Sequence, residues 1–285
     1  MVGKSPALGL GLNILFLTDN FPPETNAPAT RTYEHAVRWV AAGHRVTVIT
    51  GAPNFPEGRL YAGYRNRWYA VEEMDGIRVV RVKTYITANE GFVRRTLDYV
   101  SFMFSSFFFG LFQARPDVVV GTSPQFFTVC AAWLLSVFKW RPFVFELRDL
   151  WPESIKAVGA MREGLLYKLL TGLELFLYRR ARLIVCVTGA FKMQLVERGI
   201  PADKIAVVRN GVDTAVYYPR PANETLRREH GLEGKKVAGF LGTLGMAHAL
   251  GSVLEAARAL KEQGRDDLVF LLAGSGAESR SGPQR

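Results

Sequence analysis

Short apolar runs recur along the chain with helical segments between most of them, and that alternation restricts the fold more than any single residue does. Asn13 to Thr18 (NILFLT) and Arg45 to Thr50 (RVTVIT) are rich in branched residues and read as buried strands. Between them Tyr33, Ala36, Val37 and Val40 recur at helical spacing, and Gly43 falls where a C-terminal cap belongs. Further strand candidates are Ile77 to Val82, Asp117 to Thr122, Phe143 to Leu147, Leu183 to Val187 and Lys204 to Arg209. Helical stretches at Phe92 to Ala114, Phe126 to Lys139, Leu165 to Ala181 and Ala190 to Arg198 separate most of them. The pattern predicts an α/β fold, a doubly wound and mainly parallel sheet with helices on both faces.

The turn Asn210-Gly211, followed by Pro219 and Pro221, marks a boundary. A second alternation follows, with a strand at Val237 to Leu241, a helix from about Ala249 to Gln263 and a strand at Leu268 to Ala273. The expected organisation is a flexible leader at 1–12, a complete Rossmann-like domain at 13–219, the start of a second Rossmann-like domain at 220–278 and an aberrant polar tail at 279–285. Two strands and one helix in about 50 residues leave a parallel sheet uncovered, so this second domain is expected to be truncated, by a fragment end or a frameshift.

A chain of 285 residues with 48% hydrophobic content can bury a sizeable core, which excludes disorder over most of its length. The formal charge of +10 calls for an anionic partner, and nucleic acid, lipid phosphate or a nucleotide diphosphate all satisfy it. Arg179, Arg180 and Arg182 sit near a helix end, where cations suit the helix dipole, and no nucleic-acid motif accompanies them. Nucleic acid is therefore not an expected partner. Cys130 and Cys186 lie in apolar runs and read as buried thiols. The stretch Leu97 to Phe112 is shorter than the ~20 apolar residues that span a bilayer and contains Asp98. It reads as a core helix or as a monotopic membrane contact with Arg94 and Arg95 at lipid phosphates.

In doubly wound folds ligands sit beyond the C-terminal ends of the strands, so the loops there are the places to search. Asp19 to Arg31 (DNFPPETNAPATR) is stiffened by Pro22, Pro23 and Pro28 and offers Asn26, Thr30 and Arg31 at a helix start. Glu146 to Glu153 (ELRDLWPE) packs three carboxylates, an arginine and a tryptophan directly after a strand. There Asp149 could accept a proton or orient a sugar hydroxyl, and Trp151 could face a sugar ring or wedge the loop. Asn210 to Asp213 is a turn on spacing alone. Gly242, Thr243, Gly245 and His248 open the helix of the second alternation, where glycines let backbone approach a phosphate and the histidine could donate to it. The glycines at 274 and 276 lack the third glycine of a dinucleotide fingerprint.

Taken together, FPPETNAPATRTYEHAVRWVAAGHRVTVIT, TSPQ, ELRDLWPESIKAVGAM, RNGVD, GTLGMAHALGSVLEAA and LVFLLAGSGAE resemble glycosyltransferase family 4, and within it the fucosaminyltransferase-like branch of O-antigen, capsule and colanic acid assembly. The resemblance covers Asn13 to about Glu278. It implies a GT-B fold and a retaining transferase that needs no cofactor and no metal. It also implies a uridine diphosphate sugar donor such as N-acetylfucosamine, and an undecaprenyl diphosphate-linked saccharide acceptor at the cytoplasmic face of the inner membrane. On matching positions, Arg148 and Asp149 would be catalytic, with Arg148 where many relatives carry histidine. Asn26, Thr30, Arg31, Trp151 and Glu153 would bind acceptor, and Asn210, Gly242, Thr243, Gly245 and His248 would bind donor. Many relatives place Arg and Lys on the donor diphosphate where this chain has Thr243 and His248. The family's glutamate pair, with seven residues between the two, is not found after Lys235. Impaired donor binding is thus expected, and a non-catalytic, membrane-associated acceptor-binding or interaction module is the competing expectation.

Overall fold

A computed structural model describes residues 11–87, 92–153, 164–242, 244–245 and 248–274. They divide into two compact units, one ending at Asn210 and the other running from Gly211.

The first unit is built on an eight-stranded sheet. Its strands are β1 (Asn13–Leu17), β2 (Arg45–Gly51), β3 (Tyr69–Met74), β4 (Ile77–Val82), β5 (Val118–Thr122), β6 (Phe143–Leu147), β7 (Leu183–Cys186) and β8 (Ile205–Val207), in the order β3-β4-β2-β1-β5-β6-β7-β8. Every pairing is parallel except β3 with β4. The order reverses at β1, which pairs with β2 on one side and β5 on the other, and that switch point opens a crevice at the strand ends.

Alternation along the strands supplies both faces. Ile14 and Phe16 of β1 join Val46, Val48, Ile77 and Val79 in one buried cluster, against which Tyr33, Val37, Trp39 and Val40 of α1 (Ala27–Ala41) pack. Leu15 and Leu17 point the other way, into a larger cluster with α2 (Phe92–Leu111), α3 (Phe126–Lys139) and α4 (Leu165–Arg180). A smaller helix, α5 (Gly189–Glu197), adds Leu195 to that layer. Both cysteines are buried free thiols. No helix among the described residues is long and apolar enough to cross a membrane.

Two positions show glycine and its alternatives at work. Gly43 takes φ +92 and ends α1 with its N–H on the Val40 carbonyl, as the periodicity required. Trp140 occupies the corresponding place after α3 at φ 55, ψ 51, a left-handed conformation that costs a side-chain-bearing residue roughly 1–2 kcal/mol. The antiparallel edge strand β3 lies outside the sequence reading. Its signal was the Asp75-Gly76 pair, which takes φ 51 and 76 and closes a hairpin onto β4.

In the second unit β9 (Lys236–Leu241) and β10 (Leu268–Ala273) pair in parallel across α7 (Leu250–Glu262), with the short α6 (Glu224–Glu229) ahead of them. Leu250 is the buried hydrophobic residue of this unit among the described residues, while Leu241, Leu254 and Leu271 are exposed. The leader to Leu10 and the tail at 279–285 lie outside the described residues.

Helix α3 rests directly on β5 at Gly121, where an added Cβ would stand 2.6 Å from the Ala132 methyl and 3.1 Å from the Val129 Cα. Gly121→Ala is therefore expected to cost about 1–3 kcal/mol of unfolding free energy in a urea titration. Wild-type stability in that variant would contradict the close approach.

Candidate functional site

Three loops meet at the C-terminal ends of β1, β5 and β6. Asn26 caps α1, its Oδ1 accepting the Ala29 N–H at 2.9 Å, and this fixes Arg31 and His35 one turn apart on the helix face toward the sheet. After β5, Gln125 caps α3 by accepting from the Thr128 N–H and hydroxyl. Ser123 in the same loop accepts the backbone N–H groups of Arg148 and Asp149 at 2.7 and 3.2 Å. The TSPQ and ELRD segments thereby lock each other.

At their centre is Glu146, a buried carboxylate at the end of β6. Arg148 Nη2 donates to its Oε1 at 2.5 Å, His35 Nδ1 lies 3.6 Å from the same oxygen, and Arg31 Nη2 lies 3.8 Å from Oε2. Burial by itself would raise the Glu146 carboxyl. The nearby His35 imidazole, the charges of Arg31 and Arg148 and the Thr122 hydroxyl outweigh it and hold the carboxyl at about 2. Burial also brings the Arg31 guanidinium down to about 10, against the pull of Glu146. Arg31 Nη2 donates further to Thr122 Oγ1 at 3.2 Å, and Arg148 Nη1 to Asn210 Oδ1 at 2.7 Å.

The cluster is charged but not saturated. Arg31 Nε, Arg148 Nε, Asn26 Nδ2 and Glu146 Oε2 are all buried without a hydrogen-bond partner. Unmade hydrogen bonds at buried polar atoms cost ~1–3 kcal/mol each, so two guanidinium N–H donors left over beside one carboxylate describe a place prepared for an oxygen-bearing ligand. A second set of carboxylates stands by the β1 loop. Burial, with Asp98 and Glu24 nearby, raises Asp19 well above the carboxylate range, and burial raises Asp98 to about 7. Glu24 accepts the N–H groups of Asn54 and Phe55, so its role is to hold the loop after β2.

The expected site residues separate accordingly. Arg31 and Arg148 converge on Glu146, Asn210 accepts from Arg148, and Asn26 caps α1. Thr30 is exposed on α1, Glu153 is exposed beyond the loop, and the Asp149 side chain stands at the rim with its pKa raised by partial desolvation. Trp151 stacks on Phe126 with centroids 4.4 Å apart and meets the edge of Phe127, which makes it the wedge of the loop. In the second unit Gly242 donates its N–H to the Ala273 carbonyl, and exposed His248 lies against the Phe240 ring at 5.2 Å, at the start of α7 with Gly245. Thr243 lies outside the described residues. Sequence reasoning missed His35 as a partner and Glu146 as the centre. His35 stands four residues after Arg31 on one helix face, and that spacing was the available signal. Among the described residues no group of His, Cys, Asp or Glu is arranged to hold a metal ion.

Glu146→Gln should strand two buried guanidinium groups and lower stability by about 3 kcal/mol at neutral pH. The sign follows from the shift. A carboxyl held at about 2 in the folded state against 4.5 ordinarily contributes stability present above pH 4.5 and lost as the pH falls toward 2. Denaturation followed across that window should show a slope in the wild type that the variant lacks, and equal slopes would contradict the arrangement.

Comparison with known proteins agrees with this geometry. The family model for Glycosyltransferase Family 4 matches residues 28–216, which spans α1, the ELRD loop and Asn210. A curated protein described as a colanic acid biosynthesis glycosyl transferase, WcaI of Escherichia coli (strain K12), is 26% identical over 274 residues, 93% of this chain, and the chain spans 66% of that relative's length. Among solved structures, sucrose-phosphate synthase of Thermosynechococcus elongatus matches with a TM-score of 0.59 at 10% identity, covering 92% of this chain and 71% of that one. HepE of Anabaena, solved with UDP and glucose, matches with a TM-score of 0.52 at 14% identity over 92% and 70%. These likenesses extend to the fold, that of GT-B glycosyltransferases. With its parallel sheet, its strand-end cluster and a family match running across both, the chain belongs to glycosyltransferase family 4.

Proposed function

We propose that this chain is the acceptor-side part of a retaining sugar transferase of surface polysaccharide assembly. It moves a sugar from a uridine diphosphate donor, such as N-acetylfucosamine, to an undecaprenyl diphosphate-linked saccharide at the cytoplasmic face of the inner membrane. The observation that carries the reading is the pair of unpartnered donors, Arg31 Nε and Arg148 Nε, buried beside Glu146 at the strand ends, with Asn26 Nδ2 likewise unpartnered at the start of α1. Oxygens of the acceptor satisfy them, and Glu146 keeps both guanidinium groups in place while water is displaced. Asp149, on the loop that Ser123 pins, orients the attacking hydroxyl. Donor contacts fall to Gly242, Thr243, Gly245 and His248 at the start of α7, whose first turn has no side-chain cap. The family resemblance supports the uridine diphosphate donor, and the UDP complexes of HepE accord with it.

A second reading rests on a separate observation. The second unit's described hydrophobic residues are largely exposed, which favours a non-catalytic, membrane-associated acceptor-binding or interaction module. Calorimetry of the purified chain with uridine diphosphate sugars divides the two. Micromolar donor binding supports the transferase and contradicts the binding module, while acceptor binding alone does the reverse.

In a protein that turns over, Asp149→Ala is expected to lower kcat about 100-fold with an unchanged far-ultraviolet spectrum. Unchanged turnover would remove Asp149 from the mechanism.

A further inference from the structure

A cleft of about 520 Å³ opens where the chain enters β6 and β7, at the ends of those strands away from Glu146. Trp133 and Trp140 line it together with three cations, Arg141, Arg180 and Arg182. Its volume falls in the range of about 300–1,000 Å³ that small-molecule sites occupy. The sugar-transfer chemistry proposed above uses none of these residues.

The cations gather there without a counter-ion. Among the described residues none of the three guanidinium groups forms an ion pair. The Nε of Arg141 is buried and has no hydrogen-bond partner. The Asp117 carboxyl is held down first by the Asn13 N–H and only then by the charge of Arg141, and it accepts from Asn13 at 2.8 and 3.2 Å. Lys204 adds a like charge near Arg182, which Asp203 offsets. Like charges collected in this way repel one another. An anion bound among them removes the repulsion and gives the buried Nε–H its acceptor.

The ring surfaces define the rest of the ligand. Trp140 ends α3 at φ 55, ψ 51, the left-handed conformation in which glycine is unstrained, and its indole is 84% exposed, so packing does not offset the strain. Trp133 meets the Phe176 ring edge-on at 4.9 Å, and the Arg180 guanidinium lies over that same ring at 5.2 Å. Cations and aromatic faces therefore alternate along the cleft. A planar ring carried on a phosphate chain matches both, because bases stack on tryptophan and guanidinium planes while phosphate oxygens accept from arginine. We infer that the cleft binds a nucleoside diphosphate, with its phosphates on Arg141, Arg180 and Arg182 and its base on the exposed Trp140 indole. Two phosphates supply the oxygens and the charge that three guanidinium groups call for. The inference is independent of the transferase reading, since none of its residues belongs to the Glu146 cluster or to the donor contacts of the second unit.

The test is titration of ADP into the full chain, followed by tryptophan fluorescence and by calorimetry. Saturable binding with quenched fluorescence is expected. Adenosine and inorganic pyrophosphate, each keeping one half of the ligand, should bind at least about tenfold more weakly than ADP. Trp140→Gly suits the left-handed backbone and so removes the ring without threatening the fold, and it should weaken ADP about tenfold in calorimetry. Arg141→Gln should weaken it about tenfold as well, with an unchanged far-ultraviolet spectrum. Three results would overturn the inference. The first is no saturable ADP binding. The second is pyrophosphate, or glycerol 3-phosphate as the phosphate of a lipid headgroup, binding as tightly as ADP. The third is wild-type ADP binding by both cleft variants, including the case in which His248→Ala abolishes it instead.

Discussion

The organisation of the first unit turns on one buried carboxylate. Glu146 sits at the end of a central strand, where an unpaired charge would be intolerable, and it is retained because Arg31, His35 and Arg148 surround it. The three partners come from two structural decisions: the Asn26 cap of α1 sets Arg31 and His35, and the Ser123 hydroxyl sets the loop that carries Arg148. The cluster therefore reports that β1, β5 and β6 are in register and that two loops are correctly closed. It also leaves the Nε–H groups of Arg31 and Arg148 without protein partners.

Much of this was legible in the sequence. The strands were readable because central parallel strands are apolar on both faces, as in NILFL and VVVGT. The edge strand β3 was not, since half of its residues face solvent and YAVEEM carries little apolar signal. The Arg-Asp pair of ELRDLWPE was singled out by the density of ionisable groups after a strand. Its partner Glu146 was overlooked as the centre because its importance depends on Arg31 and His35 of α1 reaching the end of β6, a long-range fact. Trp151 packs parallel to Phe126, a contact between the loop after β6 and the start of α3 that spacing along the chain does not display.

The two poles of the sheet are chemically distinct. At the strand C-termini, cations are buried and paired with a carboxylate, which gives directional donors in a dry setting. At the N-termini, Arg180 lies over the Phe176 ring and the Trp140 indole is exposed.

The central claim is that the Nε–H groups of Arg31 and Arg148 are held unpaired for ligand oxygens. Nitrogen–proton correlation spectra of arginine side chains, recorded while a water-soluble sugar diphosphate analogue of the acceptor is titrated into the chain, test it directly. The account predicts that the two Nε–H resonances shift together and saturate with the ligand. Saturable shifts elsewhere in the spectrum, with both of these resonances unmoved, would contradict it.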